Sequence, residues 1–243
     1  MSFGDSNDRN IINDYCAKPE PHPPRHEIDS IRACWHANLT MTWQPLVGIH
    51  PTGPYWQGIQ GSPPQRLQHG LIAQLRTFQS PPDFITFSSN LWDLWGWGNH
   101  KPEILTNNQV EAAALQEWAE HMSALMTQIE VNVPAETMLI YRTGAPGSWG
   151  QCPNKDGTPI ANYVGVTLHH MLQLNMAARE VLERHPRWHL MDLELLLADF
   201  KCPQEYLRDF VHVDAYVAWN ILNIYLNMLQ TFWENHGEPP WRR

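Results

Sequence analysis

The sequence predicts an α/β protein of three layers: a doubly wound parallel sheet, in flavodoxin-like strand order, covered by helices on both faces. Three observations carry this. Short apolar runs bounded by Gly, Pro and polar breakers alternate with stretches of helical period, which is how strands joined by helical crossovers read. Five such units fit within 243 residues, and a hydrophobic fraction of 43% supplies the core for one sizeable domain, residues 1–243. Every stretch able to carry chemistry follows directly after a predicted strand, where open α/β sheets bind their ligands.

The elements follow in order. Met1-Ser2-Phe3 is all that precedes the turn at Gly4, whereas an average strand has about five residues. The expectation is that upstream sequence is missing here, and that a targeting signal went with it; a short first strand is the alternative. Asp8 to Tyr15 is a helix, and the Pro- and His-rich stretch Cys16 to Glu27 is irregular. Asn38 to Leu46 alternates Leu39, Met41 and Trp43 with polar residues, as a strand does. Val47 to Pro64 is a breaker-rich loop holding Tyr55 and Trp56, long enough to suggest function.

Gln65 to Phe78 places Leu67, Leu71, Leu75 and Phe78 on one helical face. Phe84 to Phe87 is a buried strand, followed by a Trp-rich loop from Leu91 to His100. Thr106 with Gln109 reads as a capping box opening a helix to about Glu130, with Val110, Ala114, Trp118, Leu125 and Ile129 inward. Thr137 to Thr143 is the next strand. Val166 to Arg184 is a helix through Leu168, Leu172 and Leu182, and Trp188 to Leu195 a fifth strand. Ala215 to Phe232 closes the chain as a helix with Trp219, Leu222, Tyr225 and Leu229 inward.

Composition narrows the function. A net charge of −9 argues against nucleic acid or an anionic membrane as partner. No apolar run approaches the roughly 20 residues that span a bilayer. Cys16, Cys34, Cys152 and Cys202 lack metal-site spacing. They suit two disulfides of open connectivity in a secreted protein, or four thiols in a cytosolic one. Asn38-Leu39-Thr40 is a glycosylation sequon. The secretory pathway is the favoured location, with the cytoplasm as the alternative; oligomeric state is not legible.

The chemistry gathers at the two ends. Gly4-Asp5-Ser6, followed by a polar helix start, exposes a serine hydroxyl where backbone N–H groups converge and a helix N-terminus points. A serine needs a base within about 3 Å, and the base needs an orienter. Asp209-Phe210-Val211-His212, just before the last helix, offers both from one short segment. Asp214 competes with Asp209 as orienter, and Asp209 could instead cap the helix. His169 and His170 read as structural or exposed, and neither a metal nor an organic cofactor is called for.

With these blocks the chain resembles the GDSL/SGNH hydrolases, in particular the PC-esterase branch that includes the trichome-birefringence-like polysaccharide O-acetyltransferases. That branch carries Gly-Asp-Ser-x-x-Arg-Asn at its nucleophile, and Gly4 to Asn10 matches every fixed position. It also carries Asp-x-x-His near the C-terminus, a block similar to Ser88-Ser89-Asn90-Leu91-Trp92-Asp93-Leu94, and a strand end similar to Arg142-Thr143-Gly144-Ala145-Pro146.

The resemblance implies an SGNH-type fold and a triad of Ser6, His212 and Asp209. The oxyanion hole would use the Ser6 N–H, a glycine after the second strand and an Asn after the third. Gly48, Gly58 and Gly61 all lie in the right loop, with Gly58 standing for them; Asn90 is the available amide. The generic Gly-x-Asn-Asp pattern is not kept, since Ser88 and Leu91 replace its ends. Arg9 would fix Asp5 by a salt bridge, the favoured reading, or touch an acidic group of the substrate, and Arg142 would point to the site or pair with an acid. Trp56, Trp95 and Trp97, with Tyr55 and Trp92, would form an apolar platform suited to sugar rings or acyl chains; core filling is the alternative, preferred for Trp92.

The expected activity is esterase action on O-acyl groups, foremost O-acetyl groups of small-molecule or polysaccharide esters. Acyl transfer to a sugar hydroxyl with the same triad is the first rival. A catalytically silent binding module on the same scaffold is the second.

Overall fold

The computed structural model describes residues 1–16, 32–36, 39–51, 61–106, 108–145, 167–200, 202, 205–207 and 212–237. Its strands are β1 (Ser2–Gly4), β2 (Arg32–His36), β3 (Leu39–Pro45), β4 (Phe84–Phe87), β5 (Leu105–Thr106), β6 (Gln109–Val110), β7 (Met138–Arg142) and β8 (Trp188–Met191). The main sheet has the order β2-β3-β1-β4-β7-β8. All neighbours are parallel except β2, which runs antiparallel to β3 along one edge. Without that edge strand the order is second, first, third, fourth, fifth, the doubly wound arrangement the sequence predicts.

The helices are α1 (Ser6–Cys16), α2 (Pro63–Arg66), α3 (Ala73–Leu75), α4 (Asn90–His100), α5 (Ala112–Glu130), α6 (Leu168–Leu182), α7 (Leu193–Leu196) and α8 (Ala215–His236). A π-helical turn, Leu67–Ile72, joins α2 to α3. Parallel strands bury both faces, so they read as apolar runs whose residues divide between two cores. Ile85, Phe87, Leu139 and Tyr141 face one core, which the π turn, α4, α5 and α6 complete. Phe84, Met138 and Ile140 face the other, against α1, α7 and α8. Short β1 sits in the middle, with Phe3 fully buried and its ring 6.0 Å from that of Phe87.

Several elements differ from the sequence reading. The Trp-rich loop is helix α4: Asn90, Asp93, Leu94 and Trp97 recur at helical spacing and are buried, which outweighs the cost of Gly96 and Gly98. Thr106 and Gln109 do not open a helix but face each other across the β5–β6 hairpin, whose turn holds Asn108 at φ 62°. The fifth strand stops at Met191, because Asp192 caps α7 by accepting from the Leu195 N–H at 3.2 Å. The inward face of α6 is Met171, Leu174, Ala178 and Val181 rather than the Leu168 stripe. Trp219 is 43% exposed, its ring 5.7 Å from Tyr15. Edge strand β2 has no counterpart in the sequence reading.

Among the described residues no helix is long and apolar enough to cross a membrane. Cys202 is disulfide-bonded.

Candidate active site

The chain passes from β1 to α1 with only Asp5 between them. This abrupt strand-to-helix turn needs a bare backbone at Gly4, where a Cβ would stand 1.9 Å from Asp8 Oδ2. Asp5 Oδ1 accepts from the Asn7 N–H at 2.8 Å, satisfying one of the donors a helix start leaves open. From β3, Trp43 Nε1 donates to the carbonyls of Gly4 and Asp5, each at 3.2 Å. Ser6 is thus the first residue of α1, at the carboxyl end of a central strand.

Beneath the turn lies a buried ion cluster. Arg142, at the end of β7, donates from Nη2 to Asp5 Oδ1 at 3.2 Å, to Asp8 Oδ2 at 3.1 Å and to Ser88 Oγ at 2.7 Å. Its Nε reaches Asp8 Oδ1 at 3.3 Å, and Ser88 Oγ donates to Asp8 Oδ2 at 2.6 Å. Burial alone would pull the guanidinium pKa down, but Asp8 and Asp5 together raise it above its ordinary value. Burial pushes the Asp5 carboxyl up against the pull of Arg142.

Of the two arginines, Arg9 departs from the expected pairing, and Arg142 takes the acid-pairing one of its two alternatives. The cation paired with Asp5 is Arg142, while Arg9 donates to Asn10 Oδ1 at 3.4 Å. With 1% of its surface exposed and its donors turned to Asp5, Asp8, Ser88 and the Thr143 carbonyl, Arg142 is a strut under the turn. It is not positioned to meet substrate.

The C-terminal block approaches the same turn. The Val213 N–H donates to Asn7 Oδ1 at 2.9 Å, a contact across 206 positions of chain. It joins the residue after Ser6 to the residue after His212. Val213 also pairs with Leu207 in an isolated antiparallel bridge, and the Asp214 N–H donates to the Tyr206 carbonyl at 2.8 Å. His212 is half-buried, and its charge is near enough to Asp5 to favour that carboxylate. Asp214 is the N-cap of α8, accepting from the Tyr216 N–H at 3.2 Å. Asp209 lies outside the described residues, as do Tyr55, Trp56 and Gly58.

The third block is hydrogen-bonded at Ser88, Ser89, Asn90 and Asp93. Ser88 bridges Asp8 and Arg142, as above. Ser89 Oγ accepts from the Gly48 N–H at 2.9 Å, so that glycine's donor is already spent. Asn90 is buried: Oδ1 accepts from the Tyr141 hydroxyl, and Nδ2 donates to Asn175 Oδ1, each at 2.5 Å. Asp93 accepts from the N–H groups of Ile49 and His50 and from Trp118 Nε1, at 2.8–3.0 Å, tying the loop after β3 to α4 and α5. Burial, against those donors, pushes its carboxyl up to about 7.

One of the tryptophans expected to meet substrate is in the core. Trp97 has no exposed surface and packs edge-on to His50 in the core, so it cannot present a face to substrate. Trp95 is half-buried, its ring 5.5 Å from Trp92 and 6.0 Å from His100. His169 is exposed and His170 buried.

Asn175 escaped the sequence reading, although one signal existed: a polar residue on the apolar Met171–Leu174–Ala178 face of α6. A Ser-His-acid relay occurs elsewhere, between α5 and the start of β8. Ser123 Oγ lies 2.8 Å from His185 Nε2, and His185 Nδ1 lies 2.9 Å from Glu130 Oε1. His185 precedes β8, so this relay sits at the amino ends of the strands. Ser123 is interior to α5, where the backbone N–H groups are spent on helix carbonyls rather than free to meet an oxyanion.

No family model matches the chain, and no curated protein does. Among solved structures it is similar to a catalytic mutant of an acetylxylan esterase from Geobacillus stearothermophilus, with 15% identity and a TM-score of 0.42. The match covers 72% of this chain and 66% of that one, just under two thirds of the other protein's length.

Proposed function

We propose that this chain, read as one domain, is a serine esterase of the SGNH type that removes O-acyl groups, foremost O-acetyl groups carried by carbohydrate. The observation that carries the reading is the 2.9 Å hydrogen bond from the Val213 N–H to Asn7 Oδ1. It tethers the Gly-Asp-Ser turn to the His212 segment, two blocks that are uninformative apart. In this mechanism Ser6 Oγ attacks the ester carbonyl while His212 takes its proton, with Asp209 orienting the imidazole. The Ser6 N–H, a loop glycine represented by Gly58, and the Asn90 amide meet the developing oxyanion. His212 then protonates the leaving alcohol, and water activated by the same imidazole releases the acyl group. A sugar hydroxyl in place of that water would make the protein an acetyltransferase; Trp56 and Trp95 are the side chains assigned to hold such a substrate.

Turnover of 4-nitrophenyl acetate, and acetate release from acetylated polysaccharide, test the reading. Ser6→Ala and His212→Ala should each lower kcat by about 10⁴-fold with the fold intact. Equal turnover by wild type and Ser6→Ala, or failure of an organophosphonate to label Ser6, would refute it.

A further inference from the structure

Asn90 reaches its place through two partners, and the hydrogen-bond inventory around it is nearly complete. An asparagine amide offers two N–H donors and accepts at two oxygen positions. Asn175, with no exposed surface, uses all four: Oδ1 accepts from Asn90 Nδ2 at 2.5 Å and from the Gly144 N–H at 2.9 Å. Its Nδ2 donates to the Gly144 carbonyl at 3.1 Å and to Glu194 Oε2 at 2.7 Å.

Glu194 is in turn paired with Arg179 at 3.2 Å. A carboxylate only accepts, so it dictates which end of the Asn175 amide faces it. A flipped Asn175 would set N–H against N–H at Asn90 and Gly144, and oxygen against oxygen at Glu194. The Asn175 oxygen therefore always faces Asn90 and demands an N–H from it.

Tyr141 fixes the other end of Asn90 by donating its hydroxyl to Oδ1 at 2.5 Å. Burial raises the Tyr141 pKa well above the ordinary phenol value, so the ring remains a donor. With Oδ1 bound by Tyr141 and one N–H bound by Asn175, Asn90 has a second N–H, held in a fixed direction, that meets no partner among the described residues. Gly144 closes the arrangement: a Cβ there would stand 2.3 Å from Met171 Sδ and 3.3 Å from Asn90 Cβ.

We propose that Asn175 and Tyr141 are positioning residues that aim the remaining Asn90 N–H at the reacting carbonyl oxygen. The proposal rests on the esterase reading above. An oxyanion donor contributes only when its direction is set before the charge develops, and a displacement of about 1 Å can cost on the order of 100-fold.

The test is a double-mutant cycle on 4-nitrophenyl acetate turnover, with melting temperature measured for every variant. Asn90→Ala should lower kcat about 100-fold or more. Tyr141→Phe and Asn175→Ala should each lower kcat roughly 10- to 100-fold with KM within about twofold of wild type. Combined with Asn90→Ala, neither should slow the enzyme further, because each acts through the amide already removed. Tyr141→Phe removes one oxygen from a ring that stays packed, so it carries the test if Asn175→Ala does not fold. Losses that multiply in the double variants, or a Tyr141→Phe enzyme with wild-type kcat, overturn the proposal while leaving the esterase reading in place. A wild type without Ser6-dependent turnover overturns both.

Discussion

Replacing Arg142 with Met is the sharpest test of how the candidate nucleophile turn is held. The side chain keeps much of its length, but the cation between Asp5 and Asp8 disappears. Breaking a buried ion pair by removing one partner costs about 3–5 kcal/mol, because the other charge stays buried and uncompensated. Here two carboxylates and the Ser88 hydroxyl are abandoned together, so the upper part of that range applies. Against a total stability of roughly 5–15 kcal/mol this is a large fraction. For a chain of this size it corresponds to a fall in Tm of roughly 6–20 °C.

The loss should depend on pH. Burial already holds the Asp5 carboxyl above its ordinary value despite the opposing pull of Arg142, and without the arginine it rises further. An acid whose folded pKa lies above its unfolded value contributes stability fully present below about pH 4 and lost as pH rises through the folded pKa. The gap between Arg142→Met and wild type should therefore narrow from pH 8 to pH 5. Adding Asp8→Asn should recover part of it. Urea denaturation at both pH values is the assay; a gap under about 1 kcal/mol, or one that does not change with pH, would refute the account.

Other outcomes follow from the same contacts. Asp93, held up to about 7 by burial, should titrate near neutrality. Its contribution to stability is complete below about pH 4 and lost as pH rises through that value; Trp118, which donates to it, should report the midpoint by fluorescence, and Asp93→Asn should abolish the transition. Ser123→Ala should leave any turnover of 4-nitrophenyl acetate within about twofold of wild type and lower stability by about 1 kcal/mol, the worth of one hydrogen bond. A thiol reagent applied to the denatured, unreduced chain should leave Cys202 unlabelled, as peptide mapping would show. Reduction should then cost about 2–4 kcal/mol in urea denaturation.

What could be read from the sequence was what local chemistry writes. Phe84 to Phe87 and Met138 to Arg142 were legible as strands because each is a short apolar run between breakers, buried on both faces. The Gly-Asp-Ser turn was legible because a strand entering a helix through one residue needs that chemistry in place. Helix α4 was hidden by Gly96 and Gly98, which signal a loop unless tertiary burial of Trp97 and Leu94 overrides them. Thr106 and Gln109 show that a three-residue spacing serves a capping box and a tight hairpin equally; Asn108, at positive φ, decides for the hairpin. The strut of Arg142 on Asp5 and Asp8 was ambiguous for a different reason. Its partners lie 137 and 134 positions away, and no local pattern distinguishes a buried pair from a substrate contact.

The departure of the third block from the Gly-x-Asn-Asp pattern has a physical account in the same cluster. Ser88 stands where that pattern has glycine, and its hydroxyl both donates to Asp8 and accepts from Arg142. One guanidinium facing two carboxylates leaves an excess of buried acceptors, and a hydroxyl is the smallest group that bridges acid and base at once. A glycine here would leave Asp8 without that donor and Arg142 without an acceptor at 2.7 Å. The substitution that weakens the sequence resemblance is thus tied to the Arg142 strut. Ser89 and Asn90, next along the chain, hold the Gly48 N–H and the Tyr141 hydroxyl. Three consecutive side chains after β4 therefore connect the Gly-Asp-Ser turn, the loop after β3 and the end of β7. Movement of any one of those segments would be felt by the other two.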